Sequence, residues 1–349
     1  MPAASDAARA PPIGGFFELH TPDGGAGGGL SVLEAWTEGR PYAAFANARS
    51  ALAALAAQWP GVKVWLPAFV CADVMDGLSP DRVRFYPVAE GFAPDLGVVE
   101  AESRAGDLIL LAAHLGLPVG KDARALVARR GDLTFIEDRA QALGPGLGAG
   151  AGYLLYSPRK LLGVADGGIL VAPDAAAPLP QPSALADADA AWAAALLRHA
   201  DPSGADNARW FAANRAKEAA MRAGPEAMTP RSLAILSETS MASLAGPRLA
   251  NWKTLDARLR RWSALPGDPQ APPLGYVLRL PVEVRERLMS ALHAERIFAA
   301  VHWPRIAAPE ADFPREAAWT RELLTLPCDH RYGAAEMMRI ADRVVELLG

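Results

Sequence analysis

Cysteine is nearly absent from this chain. The 349 residues include two, Cys71 and Cys328, far apart and outside any metal-type spacing, so neither a disulfide framework nor a cysteine zinc site is expected. No uncharged apolar run of about 18 residues occurs, and the N-terminus lacks an apolar leader segment, which argues against membrane spanning and secretion. Positive charge is not in excess either. Thirty-five Lys and Arg against 39 Asp and Glu leave a net charge of −4, so no basic face is expected for nucleic acid or anionic lipid. A soluble cytoplasmic protein is the default expectation. What the chain does hold is hydrophobic residues, 51% of the total, enough to bury a large core. Single cores rarely grow past roughly 250–300 residues, so two lobes are expected.

Short apolar runs alternate with helical patterns from Tyr42 to Val171: Val62 to Leu66, Val83 to Tyr86, Leu108 to Ala112, Leu133 to Ile136, Tyr153 to Tyr156 and Gly168 to Val171. That alternation predicts an α/β fold with a mainly parallel sheet between helices. Helices are expected over Asp187 to His199 and Asn207 to Ala223, and Ser232 to Trp262 is mostly helical. A smaller α+β lobe follows, with strands near Leu274 to Leu280 and Phe298 to His302 and helices over Glu283 to Ala294 and Ala334 to Leu348. The division expected is an N-terminal arm over 1–40, a large domain over 41–245 and a small C-terminal domain over 246–349. Residues 1–13 are Ala/Pro-rich and read as loose. The Gly-rich stretch Thr21 to Gly29 lacks the Gly-Lys-Ser/Thr ending of a phosphate-binding P-loop.

The strand ending in Leu154-Leu155-Tyr156 runs into Ser157-Pro158-Arg159-Lys160, and Asp166-Gly167-Gly168 follows. A lysine on a short loop between apolar runs is partly desolvated, which lowers its pKa and lets the amine condense with a cofactor aldehyde. Pyridoxal phosphate is the cofactor that needs such a lysine, although Ser-x-x-Lys also occurs in serine acylases and on ordinary loops. Upstream, Leu133-Thr134-Phe135-Ile136 leads into Glu137-Asp138-Arg139-Ala140-Gln141. Open α/β sheets bind ligands at strand C-termini, and a carboxylate there can keep a pyridine nitrogen protonated so that the ring accepts electrons. Asp138 is the candidate, with Gln141 reaching the ring hydroxyl; capping of the next helix is the alternative reading.

A phosphate site is expected at Phe45-Ala46-Asn47-Ala48-Arg49-Ser50, ahead of the Ala/Leu-rich run Ala51 to Gln58. Backbone N–H groups opening that helix, the Ser50 hydroxyl and the Arg49 guanidinium would form it, unless Asn and Ser only cap the helix. His114 follows a buried strand, and His302-Trp303 stands at the mouth of the expected site. Both histidines are substrate candidates, with structural packing the competing explanation. Arg159, Arg139 and Arg231 suit a phosphate or carboxylate but equally suit ion pairs. Cys71 reads as a small buried hydrophobe.

Taken in order, Asn-Ala-Arg-Ser, Glu-Asp-x-x-Gln, and Ser-x-Arg-Lys with Asp-Gly-Gly resemble the DegT/StrS group of sugar-nucleotide aminotransferases, within the aspartate aminotransferase fold of pyridoxal phosphate enzymes. Gly14-Gly15-Phe16-Phe17-Glu18-Leu19, Leu66-Pro67-Ala68-Phe69-Val70-Cys71, Ala113-His114-Leu115-Gly116, Val301-His302-Trp303-Pro304 and Leu326-Pro327-Cys328-Asp329 are similar to further stretches of the family. The resemblance implies that Lys160 holds the cofactor covalently and moves protons, Asp138 pairs with the pyridine nitrogen, and Gln141 contacts the ring hydroxyl. It places Arg49, Ser50 and Ser157 on the phosphate and Cys71 over the ring. It further implies glutamate as amino donor, a nucleotide-linked keto-sugar as acceptor, a ping-pong course, and a homodimer with shared active sites.

Three positions depart from the family pattern. Ala48-Arg49-Ser50 replaces a Gly-Thr-Ala-like stretch, Leu155 stands where a phosphate serine precedes the lysine by five, and Cys71 stands where an aromatic stacks on the cofactor. A divergent branch is implied. Dehydratases of the same group replace the lysine with histidine, whereas this chain keeps Lys160; a non-catalytic binding relative is the other alternative.

Overall fold

The computed structural model describes residues 10–22, 28–144, 146–148, 150–267, 269 and 271–349. The loose stretch expected at the N-terminus therefore lies outside the described residues as far as residue 9, as do 23–27 of the Gly-rich stretch. The chain opens with strand β1 (Ile13–Gly14) and helix α1 (Val32–Thr37). Then come β2 (Tyr42–Phe45), α2 (Ala48–Ala56), β3 (Val64–Pro67), β4 (Val83–Tyr86), α3 (Gly97–Glu102), β5 (Leu108–Ala112), α4 (Gly120–Arg129), β6 (Thr134–Asp138), β7 (Tyr153–Tyr156) and β8 (Gly168–Val171). Helices α5 (Ala188–His199), α6 (Asn207–Ala220), α7 (Pro230–Glu238) and α8 (Met241–Leu259) follow. The second lobe adds β9 (Tyr276–Arg279), α9 (Val282–Ala294), β10 (Ile297–Phe298), α10 (Pro314–Glu322), β11 (Leu323–Leu326) and α11 (Ala334–Leu348).

Seven strands form one sheet in the order β2-β8-β7-β6-β5-β3-β4. Strand β8 runs antiparallel to both neighbours, while the pairs from β7 across to β4 are parallel. The reading of continuous apolar runs as doubly covered strands holds, because both faces are buried. Ile109, Leu111, Phe135 and Leu154 join one core cluster, and their sequence neighbours Leu108, Leu110, Ile136 and Leu155 join the cluster on the other face.

The paired glycines at the start of β8 allow a close approach of backbone to backbone. Gly167 has φ +133°, and a Cβ on Gly168 would fall far inside contact distance of the Asn47 carbonyl carbon and the Ala48 nitrogen. Without side chains there, the start of α2 lies against the start of β8, bridged at Asn47 and Gly167. The N-terminus of α2 is thereby brought next to the loop leaving β7.

Helix α8 crosses from one lobe to the other. Leu244 packs in the large-lobe core, whereas Trp252, Leu255 and Leu259 belong to the small-lobe core with Tyr276, Leu278 and Leu288. The boundary expected after 245 thus falls inside a continuous helix, beside its Pro247. The N-terminal segment is divided as well. Val32, Leu33 and Trp36 of α1 are large-lobe core, whereas β1 pairs with β10 in the small lobe. Among the described residues, no helix is long and apolar enough to cross a membrane.

Candidate active site

Strands β3, β5, β6 and β7 are parallel, so their C-terminal ends converge on one rim of the sheet, where ligands of such sheets bind. A cavity opens there. Asp138 at the end of β6, Gln141 one turn on, and Ser157, Arg159 and Lys160 after β7 all line it. Asn47, Ala48 and Arg49 at the start of α2 line it too, as does Cys71 after β3. Lys160 also lines a larger adjoining cleft of about 670 Å³, walled by the N-terminal arm, α6, α8 and the small lobe.

Lys160 closes a single 3-10 turn, Pro158–Lys160, held by its own N–H donating to the Ser157 carbonyl at 3.1 Å. Burial pushes its amine below the ordinary lysine range, and the Arg159 guanidinium adds to this while the Asp138 carboxylate opposes it. Burial acts on Asp138 in the opposite sense, raising it against the pull of Lys160. Its Oδ1 accepts the Ala140 N–H at 2.9 Å. The two groups that need each other thus line one cavity.

Gln141 is anchored at one end only. Its Oε1 accepts the Leu115 N–H at 2.8 Å, while its buried Nε2 has no partner among the described residues. A buried amide donor without an acceptor costs about 1–3 kcal/mol, which a bound oxygen facing it would recover.

The phosphate expectation needs correction at Ser50. That hydroxyl donates to Asn47 Oδ1 at 3.0 Å and accepts the Gly224 N–H at 3.0 Å, and its own N–H is capped by Asn47 at 2.9 Å. Ser50 does not line the cavity, because one helical position sends it to the far side of α2. Arg49 lines the cavity, yet its guanidinium faces Asp73 at 3.3 Å, Asp76 at 3.8 Å and the Met221 carbonyl at 3.2 Å. The anion donors left at this helix end are the backbone N–H groups of Ala48 and Arg49, which have no intrahelical partner.

His114 is corrected as a substrate group. Its ring, 2% exposed, has Nε2 at 2.7 Å from the Phe69 carbonyl and Nδ1 at 3.1 Å from the Phe92 carbonyl. Burial lowers it to about 4, so one nitrogen donates and neither is free for a ligand. His302 differs, since only its Nδ1 is engaged, with Thr325 Oγ1 at 2.9 Å, and it lines the cleft. Burial, with Lys160 nearby, lowers it to about 4, leaving a neutral ring. Burial raises the Cys71 thiol, which stays neutral.

Arg139 is buried against Glu137, Arg159 pairs with Glu218 at 2.7 Å, and Arg231 lies over the Trp192 ring at 4.7 Å. Asp166 accepts from Thr229 and Ser232, fixing the start of α7. Trp303, placed at the mouth of the site by sequence, lines both the cavity and the cleft, whereas sequence reasoning gave no site role to the arm residues Phe16 and Phe17, which wall the cleft. Among the described residues no cluster of His, Cys, Asp and Glu could hold a metal ion.

No protein-family model and no curated protein matches this chain. Solved structures do. DesV from S. venezuelae is similar over 87% of this chain and 84% of its own, with 21% identity and a TM-score of 0.64. A DegT/DnrJ/EryC1/StrS aminotransferase from Brucella abortus matches over 91% and 88%, with 16% identity and a TM-score of 0.64. The chain shares the fold of these structures. Spr1654 from Streptococcus pneumoniae, solved in a PLP form, covers 97% of this chain and 100% of its own at 15% identity and a TM-score of 0.65. At such identities the likeness establishes the shared fold, and the chemistry is argued from the residues in the cavity.

Proposed function

We propose that this protein is a pyridoxal phosphate-dependent aminotransferase of the DegT/StrS type, moving an amino group from an amino-acid donor, glutamate, to a nucleotide-linked keto-sugar by a ping-pong course. The observation that carries the reading is the pairing of a desolvated lysine amine with a strand-end carboxylate in one cavity. When bound, the cofactor supplies an aldehyde carbon for the amine and a ring that accepts the electron pair released at the donor's α-carbon.

Asp138 would meet the ring nitrogen, the orphaned Gln141 amide the ring hydroxyl, and the Ala48 and Arg49 N–H groups with the Ser157 hydroxyl the phosphate. The lowered basicity of Lys160 favours the neutral amine, the form a nucleophile requires. The same amine, once released, would carry the proton from the donor's α-carbon to the cofactor's C4′ carbon, and in the second half-reaction would carry a proton from C4′ to the acceptor carbon, acting as general base and then general acid in each half. Trp303, like Lys160, lines both the cavity and the adjoining cleft and supplies an apolar wall beside the reacting amine. A homodimer with shared active sites, located in the cytoplasm, belongs to the same reading.

Absorbance of bound cofactor in the purified protein, and its shift on adding glutamate, test the reading. Lys160→Ala is expected to remove the lysine-linked band and lower turnover by about 10³-fold or more. Turnover at the wild-type rate in that variant would rule the assignment out; no cofactor in the wild type would favour a binding protein.

A further inference from the structure

One end of the cleft beside Lys160 is built of rings. Phe16 of the arm, Phe211 on α6, and His293 and Phe298 of the small lobe all line it, and each keeps part of its surface open to solvent. They touch in series: Phe16 meets Phe211 at 6.0 Å between centroids, Phe211 meets Phe298 at 4.9 Å, and Phe298 meets His293 at 5.8 Å. Both Phe–Phe contacts run edge to face, at 75° and 73°, the arrangement that the ring quadrupole favours. Apolar surface left half open along a concave wall gains free energy when a ligand covers it.

These rings are held from behind. Trp210, 1% exposed, lies 4.3 Å from Phe211, and its indole N–H donates to Asp201 Oδ2 at 3.1 Å. The Arg198 guanidinium covers Phe16 at 5.3 Å and Trp210 at 4.9 Å, while its Nε pairs with Glu18 at 3.0 Å. The cation packed on these rings is thus matched within the fold, and the surface they offer is apolar. His293 adds one polar atom, since its Nε2 lies 2.9 Å from the Ala299 carbonyl and its Nδ1 has no partner among the described residues. None of the four rings lines the cavity around Asp138 and Lys160. Ala299, Ala300 and Val301 line the cleft between Phe298 and His302, and these small side chains leave a path from the rings to the reacting centre. Four residues of chain reach at most about 14 Å, which bounds the distance from Phe298 to His302.

We propose that Phe16, Phe211, Phe298 and His293 form a slot for a flat, uncharged aromatic ring, carried by the acceptor away from its reacting carbon. Such a ring continues the edge-to-face series and covers the open ring surface. Walls already fixed by Trp210 and Arg198 lower the ordering cost of binding. Binding energy gained at this remote end orients the end that reacts. A nucleobase and an aryl group joined to the sugar supply the same chemistry, and only the first has heteroatoms for His293 Nδ1. That the ring belongs to an acceptor rests on the aminotransferase reading; the slot itself rests on the cleft alone.

The test is calorimetric titration of the purified protein with uridine, phenyl β-glucoside and cyclohexyl β-glucoside, in the wild type, in Phe211→Leu and in Phe298→Leu. Both variants keep apolar bulk while removing a ring, and loss of one aromatic pair weakens a bound ring by about three- to tenfold. Weaker uridine alone identifies a nucleobase as the occupant, weaker phenyl glucoside alone identifies an aryl group, and weakening of both supports a slot that accepts either. Equal affinity of wild type and variants for both ring probes overturns the proposal, as does a wild type that binds neither. A wild type that binds cyclohexyl glucoside as tightly as its tighter ring probe overturns it too, and this comparison needs no variant. If one variant does not fold, the other, on a different element, decides. Cofactor absorbance is read on the same samples. Ring binding without cofactor keeps the slot and ends the aminotransferase reading, whereas cofactor without ring binding does the reverse.

Discussion

Asp138 and Asp329 are two enclosed carboxylates with opposite surroundings, one at the strand ends of the large lobe and the other just after β11 in the small lobe. For Asp329, burial opposes the charge, but the Arg331 guanidinium outweighs it and holds the carboxyl well below the usual range. Both of its oxygens accept from that guanidinium, at 2.8 and 2.9 Å, and Arg331 extends the network to Glu18 at 3.0 Å and to the Gly15 and Phe16 carbonyls. Asp138 has one backbone N–H and a raised pKa. A carboxylate matched at both oxygens works as scaffold, here clamping the arm that walls the cleft. A carboxylate left short of partners keeps its capacity for something that arrives from outside.

Breaking the scaffold member is expected to have the largest effect. Asp329→Asn leaves Arg331 without its main counter-charge and should cost about 3 kcal/mol of stability at neutral pH, read from denaturant unfolding. The depressed pKa gives the sign: the contribution of Asp329 is complete above its unfolded value of 3.8 and is lost as pH falls below it. The gap between wild type and variant should therefore narrow in acid. A gap independent of pH would mean that Asp329 stabilises by packing alone.

Asp138→Asn sharpens the contrast from the other side. Turnover should fall about 10²-fold through loss of the charge opposite the ring nitrogen. In cofactor-free protein the sign reverses, because a raised carboxyl takes up its proton more readily in the folded state, so stability declines as pH rises through that value. The variant should be at least as stable as wild type at pH 7, with any gain vanishing toward 3.8. Destabilisation at pH 7 would place Asp138 with the scaffold. A smaller change is expected of Gln141→Glu, which keeps the acceptor for the Leu115 N–H and exchanges only the unpartnered amide. Cofactor affinity measured by dialysis should drop about tenfold, and equal affinity would remove Gln141 from the ring hydroxyl.

Contiguous pieces of this molecule were legible before any coordinates. Lys160, Ser157 and the paired glycines lie within twelve residues, and Glu137 to Gln141 span one strand end, so local spacing already reports them. Ser50 was misread because Asn47, three residues earlier, takes over the cap, and a cap and a phosphate loop have the same composition. His114 reads as a substrate candidate in the sequence because its two partners, at Phe69 and Phe92, are backbone carbonyls that residue types do not reveal. Helices α1, α3, α4 and α10 escaped notice as well, being no more than ten residues long.

The order of residues by itself determined the alternating sheet, the lysine turn and the strand-end carboxylate, since each depends on neighbours within a few positions. Folding alone decided that β8 runs against its neighbours, that α2 starts beside Lys160, and that Lys217 and Arg248 meet the same five-residue segment after Lys160 from different helices. Apart from the β7–β8 pair, those juxtapositions join residues about 50 to 130 positions apart in the chain, and only burial of a common core supplies the free energy to close such loops.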